Sequence, residues 1–563
     1  MDRPWLNYYD DDVPRTLAFP SITVPEMLAQ TAEKYPNQIA SIFVGGRLTY
    51  AQLKTQVDQL ASALSELGIR QGDRVAIMLP NCPQAIIAYY ATLSLGAVTV
   101  LTNPLYVEKE LERQWGDAGV KAAIFLNIFW PKVKAVREAL NIEHLIATGI
   151  QEYMSPVKGI LAPIELRRQG NWVSIPKDSG VHSFKKLANR RSRRSPHASI
   201  SPEDLACLQY TGGTTGLPKG AMLSHKNLVA GVYQIRQFLL AEHKETEDKA
   251  IAIMPIFHVY GMNAVMNLAV RLAATQVLLP RPEIKDVVDA IVSEKPTFFL
   301  GVPALYVALM SFPTIDNIDL TTIKACFSGG SPLPMDVIEQ FEKRTGSRIA
   351  EAYGMTETAS VTHVNPRRGV HKHGSIGVPI TGTEARIVDV EDGNKDVPQG
   401  EAGELLIKGP TVMMGYWNRP DETAQVLKDG WLCTGDIATM DEDGYFYIVD
   451  RKKDLILTAG FNVYPREVEE VLYKHPKVLE AAVVGLPDAV RGEKITAYVT
   501  LKPGEKATAA EIRAFCRKHL APYKQPRTVV FQDNLPKSMA GKILRRKLRE
   551  DALAAQKKTT VPK

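Results

Sequence analysis

Cysteine is scarce in this chain. Five cysteines are spread over 563 residues, at Cys82, Cys207, Cys326, Cys433 and Cys516, with no Cys-x-x-Cys pair among them. An odd and scattered set excludes a disulfide framework and a cysteine-built zinc site, and it points to a reducing compartment. A strong charge of one sign is also missing: 68 basic against 62 acidic residues leave a net +6. That is too mild to imply a nucleic-acid partner, and the one arginine-rich stretch lacks interleaved aromatics and a recognition motif, so no nucleic acid is expected. No internal repeat is present, which excludes repeat architectures. The opening, "MDRPWLNYYDDDVPRT", has no apolar core of the signal-peptide kind. The expectation is a cytoplasmic protein, with a peripheral place on the inner face of the membrane left open.

Long hydrophobic runs are nearly absent. The exception is residues 75 to 107, which carry no charge and are long enough to span a bilayer. Pro80, Asn81 and Pro83 break the run early, and Gly96 with the β-branched "VTVL" breaks it late. The pattern predicts strand, helix and strand buried in an α/β domain rather than a span.

What is present is an ordinary globular composition, 45% hydrophobic and 23% charged, on a chain too long for one core. Strand-like segments recur before helix-like ones: "RVAIML", "KAAIFLN", "DLACLQY", "AIAIMP", "TQVLLP", "TFFLGVP" and "IKACFSGG". This alternation predicts an α/β fold, a large N-terminal domain of parallel α/β sheets with ligand loops at the strand ends. From about 380 to 450 the pattern becomes short strands and turns, a small β subdomain. Past "VDRKKD" it becomes helix "PREVEEVLYKH", strands "LEAAVVGLPD" and "KITAYVTLK", helix "TAAEIRAFCRKHL" and strand "TVVFQ", a small α+β C-terminal domain. The boundary falls near 450 to 454, which gives domains 1–452 and 453–563. "FKKLANRRSRRSPH" (184 to 197) reads as an exposed basic loop. Beside the apolar "VKGILAPIEL" (157 to 166) it suits an anionic membrane, although a solvated loop is the favoured reading.

The chemistry is carried by loops. "YTGGTTGLPKG" (210 to 220) combines glycines, threonine hydroxyls and Lys219, a composition suited to phosphate. Walker A spacing fails, because Pro218 precedes Lys219 and Gly220 follows it. A polar loop between strand and helix is the plain alternative. "FSGGSPLP" (327 to 334) ends a strand in two glycines, where a planar ring could slide against bare backbone. "EAYGMTET" (351 to 358) offers a tyrosine for stacking, a threonine for phosphate and a glutamate for Mg²⁺.

In this order, "YTGGTTGLPKG", "EAYGMTET", "WLCTGD", "VDRKKD" and "LPKSMAGK" resemble the core motifs of the adenylate-forming superfamily of acyl-CoA synthetases, luciferases and peptide-synthetase adenylation domains. The resemblance runs from about residue 20 to 550. Within that group the chain is similar to bacterial long-chain fatty acid CoA ligases, through "LQYTGGTTG" and "IFHVYG" (256 to 261). The implied substrates are ATP, a fatty acid and CoA, with Mg²⁺ as cofactor. Medium-chain, aryl-acid and acyl-AMP ligases stay open as alternatives, and so does a non-catalytic binding protein.

The resemblance also implies roles. Thr211, Gly212, Gly213, Thr214, Thr215, Gly216 and Lys219 would grip the β and γ phosphates, and Glu357 would hold Mg²⁺ with Thr211. Gly330, Ser331, Glu351, Ala352, Tyr353 and Gly354 would frame the adenine, and Thr356 would bond the α-phosphate. Asp436 would accept from the ribose with Arg451 nearby, and Lys453 would sit at a hinge and touch ATP. Lys542, carried on a mobile C-terminal domain, would be the catalytic cation, a solvated lysine being its plain alternative. Lys537 and Lys547 remain surface charges. His258, Tyr260, Val302, Gly329 and Gly460 would line the acyl and CoA pocket, His258 having a buried structural role as its plain alternative. Oligomeric state and chain-length preference are not legible, and a homo-oligomer stays open.

Overall fold

The computed structural model describes residues 3–190, 199–211, 218–239, 245–281, 283–330, 333–458, 461–488, 491–537 and 543–559. Two large sheets form the N-terminal body. The first has eight strands, and its parallel centre comprises Leu205–Thr211, Val98–Leu101, Arg74–Met78, Val120–Leu126 and His144–Thr148 in that spatial order. Val75, Ala76, Ile77 and Met78 are all buried, as expected of a strand covered on both faces.

The uncharged stretch 75 to 107 is strand Arg74–Met78, helix Pro83–Ser94 and strand Val98–Leu101. That helix is apolar all round because protein encloses it: every residue from Pro83 to Leu93 is buried. Among the described residues no helix is long and apolar enough to cross a membrane.

The second sheet has nine strands, with Thr275–Leu278, Lys249–Ala252, Phe298–Gly301, Ala325–Gly329 and Ile349–Met355 parallel and adjacent. All seven strand segments expected from the sequence lie in these two sheets. In the second sheet Gly301 stands opposite Ser328, and Gly329 opposite Ala352. The carboxyl ends of three strands therefore finish side by side, the place where such sheets take ligands.

A small antiparallel sheet follows, made of Glu384–Val388, Gly403–Lys408, Trp431–Met440 and Phe446–Arg451 with a short strand at one edge. A 3₁₀ turn, Lys452–Asp454, leads into a separate sheet of strands between Ile456 and Phe531 with helices Pro465–Tyr473, Ala509–His519 and Arg545–Thr559. This C-terminal unit has its own core of Val468, Leu472, Val483, Val499 and Ile512.

The basic stretch 184 to 197 departs from the loop expected of it. Ser183 caps a short helix, Phe184–Ala188, whose two apolar ends are buried four residues apart and pin it to the body. Residues 191–198 lie outside the described residues.

Candidate active site

Strands Leu205–Thr211 and Lys219–Ser224 pair antiparallel, with Thr211 opposite Lys219. The glycine-threonine loop therefore joins the two arms of a hairpin, not a strand to a helix. Gly212, Gly213, Thr214, Thr215 and Gly216 lie outside the described residues, but both feet of the loop are placed. Lys219 is ion-paired with Glu422, and its Nζ lies 5.1 Å from the centre of the Tyr416 ring. The Tyr416 hydroxyl in turn donates to Glu357 Oε1 at 2.8 Å. Both hairpin strands pack on the turn Thr356–Thr358 that carries Glu357.

That turn is held in a strained form. Ala359 and Ser360 have φ of 51° and 128°, and the Thr358 hydroxyl accepts from Met355 N and donates to Ser360 O. Just before it, at a bulge after Tyr353, a Cβ on Gly354 would lie 1.8 Å from the Ser360 carbonyl oxygen. Only glycine fits there.

Asp436 is buried on strand Trp431–Met440, opposite Arg451. Arg451 Nε lies 2.7 Å from one of its oxygens, and the Tyr353 hydroxyl donates to the other at 2.6 Å. Three motifs far apart in sequence thus meet on one carboxylate. Two residues beyond Arg451, Lys453 has its pKa lowered to about 8 by desolvation and by Arg451, against the pull of Asp454, Asp436 and Glu357. Its surface is still open to solvent, so its ammonium stands at the rim of the cleft.

A second wall forms at the strand ends. Gly330 has φ of +89°, and the nearest atom to a Cβ built there is Val302 Cγ1 at 3.9 Å. A Cβ on Gly329 would meet Ala352 O at 3.5 Å and Tyr260 Cε1 at 3.7 Å. Val302, Gly329, Gly330, Ala352 and Tyr260 are therefore neighbours, and the Tyr260 hydroxyl donates to Gly301 O at 3.3 Å.

His258 is exposed to solvent along part of its surface, while neighbouring protein crowds its ring. Its Nδ1 accepts from Tyr260 N at 3.2 Å, and desolvation by its neighbours lowers its pKa. A π-helix, Tyr260–Asn267, follows, a form concentrated at functional sites. Ser331 and Gly460 lie outside the described residues.

Glu351 differs from its neighbours. Its carboxylate accepts from Leu333 N and Gly374 N, at 3.5 and 3.4 Å, so its side chain is committed to these two backbone amides. Burial raises its pKa. With His371 and His373 it offers ligand atoms within 4.8 Å of one another, a mixed N and O set unlike the oxygen set Mg²⁺ prefers.

The family described as AMP-binding enzyme matches residues 28–417, and the AMP-binding enzyme C-terminal domain matches residues 467–542. The chain belongs to the AMP-binding enzyme family. A long-chain-fatty-acid–CoA ligase of Bacillus subtilis (strain 168) is 44% identical over 551 residues, covering 98% of each chain. Among solved structures, ATP-bound MatB from Rhodopseudomonas palustris superposes with a TM-score of 0.82 at 29% identity, covering 94% of this chain and 99% of its own. The anthranilate CoA ligase AuaEII in complex with anthranoyl-AMP gives 0.83 at 28% identity, covering 96% and 99%.

In this AMP-binding enzyme Lys542 lies outside the described residues, but its surroundings are placed. A bridge between Lys537 and Ile543 brackets it, and Arg545 lies three residues on. Arg545 bonds Asp450 at 2.9 Å, Asp454 at 3.3 Å and Glu469, tying the C-terminal helix to both flanks of the turn Lys452–Asp454. Lys537 pairs with Glu480, and Lys547 is exposed. Sequence reasoning missed Tyr416, Arg545 and Asp450. The one available signal was Asp450 itself, an acid inside an apolar strand.

Proposed function

We propose that this AMP-binding enzyme is a long-chain fatty acid CoA ligase working in two half-reactions. An oxygen of the fatty carboxylate bonds to the α-phosphorus of ATP, the α-β bridging bond breaks and pyrophosphate leaves. The CoA sulfur then bonds to the acyl carbon, its C–O bond to phosphate breaks, AMP leaves and the thiol proton goes to water.

The difficulty is electrostatic. Two like charges about 4 Å apart repel by roughly 4 kcal/mol at an effective dielectric of 20, so the first step needs built-in cations. Lys219 and the loop Thr211 to Gly216 bind the departing phosphates, Thr356 the α-phosphate, and Lys542 the charge growing between carboxylate and phosphorus. Asp436 takes the ribose hydroxyls with Arg451 behind it. Gly330, Ser331, Tyr353, Gly354 and the backbone of Glu351 and Ala352 frame the adenine. His258, Tyr260, Val302, Gly329 and Gly460 line the acyl and CoA side.

Glu357 with Thr211 fits Mg²⁺. One Glu357 oxygen takes the Tyr416 hydroxyl, no lysine or arginine pairs with this glutamate among the described residues, and both donors are hard oxygens. The bound ion supplies neutralising charge to the phosphates. The C-terminal unit, divided from the body at 452/453, turns about Lys453 between the half-reactions.

The observation that carries this reading is the convergence of Tyr353, Asp436 and Arg451 beside Glu357 and Lys219. The long-chain substrate follows the near full-length likeness to the B. subtilis ligase. The test is CoA-dependent AMP release across saturated acids from butanoic to icosanoic, with benzoic acid included. The maximum should fall on long chains and vanish in Lys542→Ala. A maximum on benzoic or short acids, or activity untouched by the substitution, overturns the proposal.

A further inference from the structure

Helix Pro156–Arg168 is turned inside out. Val157, Ile160, Leu161 and Ile164 stand at the i, i+3, i+4, i+7 spacing that normally marks a buried stripe. Here they are 69%, 75%, 56% and 63% exposed, while Gly159, Ala162, Pro163 and Leu166 face the body. No residue of the helix is buried. The orientation follows from close packing on the turn Ile150–Tyr153: a Cβ on Gly159 would lie 3.2 Å from the Gln151 carbonyl oxygen, room that the bulky face would not have. Four large aliphatic side chains held in water on one short helix mark a surface that meets something.

The charge around the stripe says what it meets. The helix carries Lys158, Arg167 and Arg168 against one acid, Glu165. The Arg167 guanidinium lies 4.8 Å over the ring of half-buried Trp172, an aromatic of the kind that sits at lipid headgroups. Glu152, in the turn beneath the helix, lines one hollow with Lys185, Lys186 and Arg190, so the basic helix Phe184–Ala188 borders the same edge. Among the described residues Lys158, Arg168 and Lys186 have no carboxylate within ion-pair distance. Arg190 is ion-paired with Glu66, but an apolar stripe beside the unpaired Lys158, Arg168 and Lys186 complements an anionic lipid surface, the stripe entering the boundary between headgroup and acyl chain and these cations facing lipid phosphate.

We propose that this face docks the protein on anionic membranes. The docking bears on the proposed function, since long-chain acids partition into bilayers, but it is tested without catalysis. Full-length protein is floated with phosphatidylcholine vesicles, with and without phosphatidylglycerol, at low and high salt. Binding should require phosphatidylglycerol and weaken in high salt. The double variant Ile160→Ser, Ile164→Ser should bind roughly tenfold more weakly, and Lys185→Glu, Lys186→Glu should lose the preference for phosphatidylglycerol.

These side chains are exposed, so both variants should keep their unfolding midpoint and their AMP release from detergent-solubilised acid. Loss of AMP release with flotation intact would count against the proposed reaction and leave the docking standing. No flotation of the native chain, or equal flotation of the Ile160/Ile164 variant, overturns the docking. So does a native dimer that the same variant converts to monomer in sedimentation, which would make the face a contact between copies.

Discussion

Asp436 and Asp450 are both buried aspartates on one β-hairpin, and they do opposite jobs. Asp436 stands opposite Arg451, and Asp450 opposite Ile437. Adjacent strand residues point to opposite faces, so Arg451 and Asp450 turn away from each other. Asp436 is bound by Tyr353 and Arg451, both from the large body. The partners of Asp450 from beyond the hairpin are Arg466 N at 2.7 Å and Arg545, both from the C-terminal unit. One carboxylate is held in a floor within the large body, and the other tethers the C-terminal unit that the proposed reaction turns above it. A floor gains from saturated partners. A tether made of ions can be exchanged for another set at modest net change, because its charges are solvated when it opens.

The sharpest break between the two is Lys542→Ala, which removes the cation that the proposed reaction has the C-terminal unit deliver. Adenylation should fall roughly 10²- to 10³-fold. Turnover of supplied acyl-adenylate with CoA should change little, as single-turnover pyrophosphate and AMP release would measure. Equal losses would mean that the residue supports the fold of its segment rather than the chemistry.

Next in size is the tether itself. Arg545→Met leaves Asp450 and Glu469 buried without their cation, which should destabilise the C-terminal unit by about 3 kcal/mol. Urea unfolding should then show an early transition, and AMP affinity, which the proposed function assigns to the floor, should stay within about twofold. A single unshifted transition would show that the apolar core of the unit holds it unaided.

Much of this was legible. The strands of the parallel sheets announce themselves as apolar runs between turn residues, because both faces are covered and nothing forces alternation. The motif residues were singled out too, Tyr353 and Arg451 near strand ends, Glu357 in the turn Thr356–Thr358 and Asp436 inside strand Trp431–Met440. Their partners were not. Tyr416 reaches Glu357 across 59 residues of sequence, and Arg545 stands in a run of basic residues that looks like solvated helix. Partnership of that kind is a property of packing, not of local pattern. The helix Pro156–Arg168 makes the same point in reverse: its spacing predicts a buried stripe, and the small residues opposite decide which face turns in.

A smaller effect is expected at the floor. Asp436→Asn keeps the shape but removes the charge facing Arg451. If Asp436 holds the ribose as proposed, loss of one charge-assisted contact should raise the KM for ATP about tenfold and slow both half-reactions together. Slowing of only the second half-reaction would place Asp436 on the moving side of the comparison.

The smallest expected effect separates floor from tether by pH. Lys453 feels the charges of Arg451, Asp454, Asp436 and Glu357, and its ammonium pKa is lowered from the usual 10.5 to about 8. If its charge serves the phosphates, kcat/KM for ATP should fall severalfold as pH rises through about 8, while Lys453→Arg, which stays protonated, should hold level. Unfolding at this group cannot produce that fall. Its folded pKa lies below the unfolded value, so between about 8 and 10.5 the unfolded chain binds more protons, and the contribution to stability grows with pH. Activity and stability thus move in opposite directions across one window. A profile in which they fall together, or one that Lys453→Arg leaves unchanged, would take Lys453 off the nucleotide and return it to the hinge.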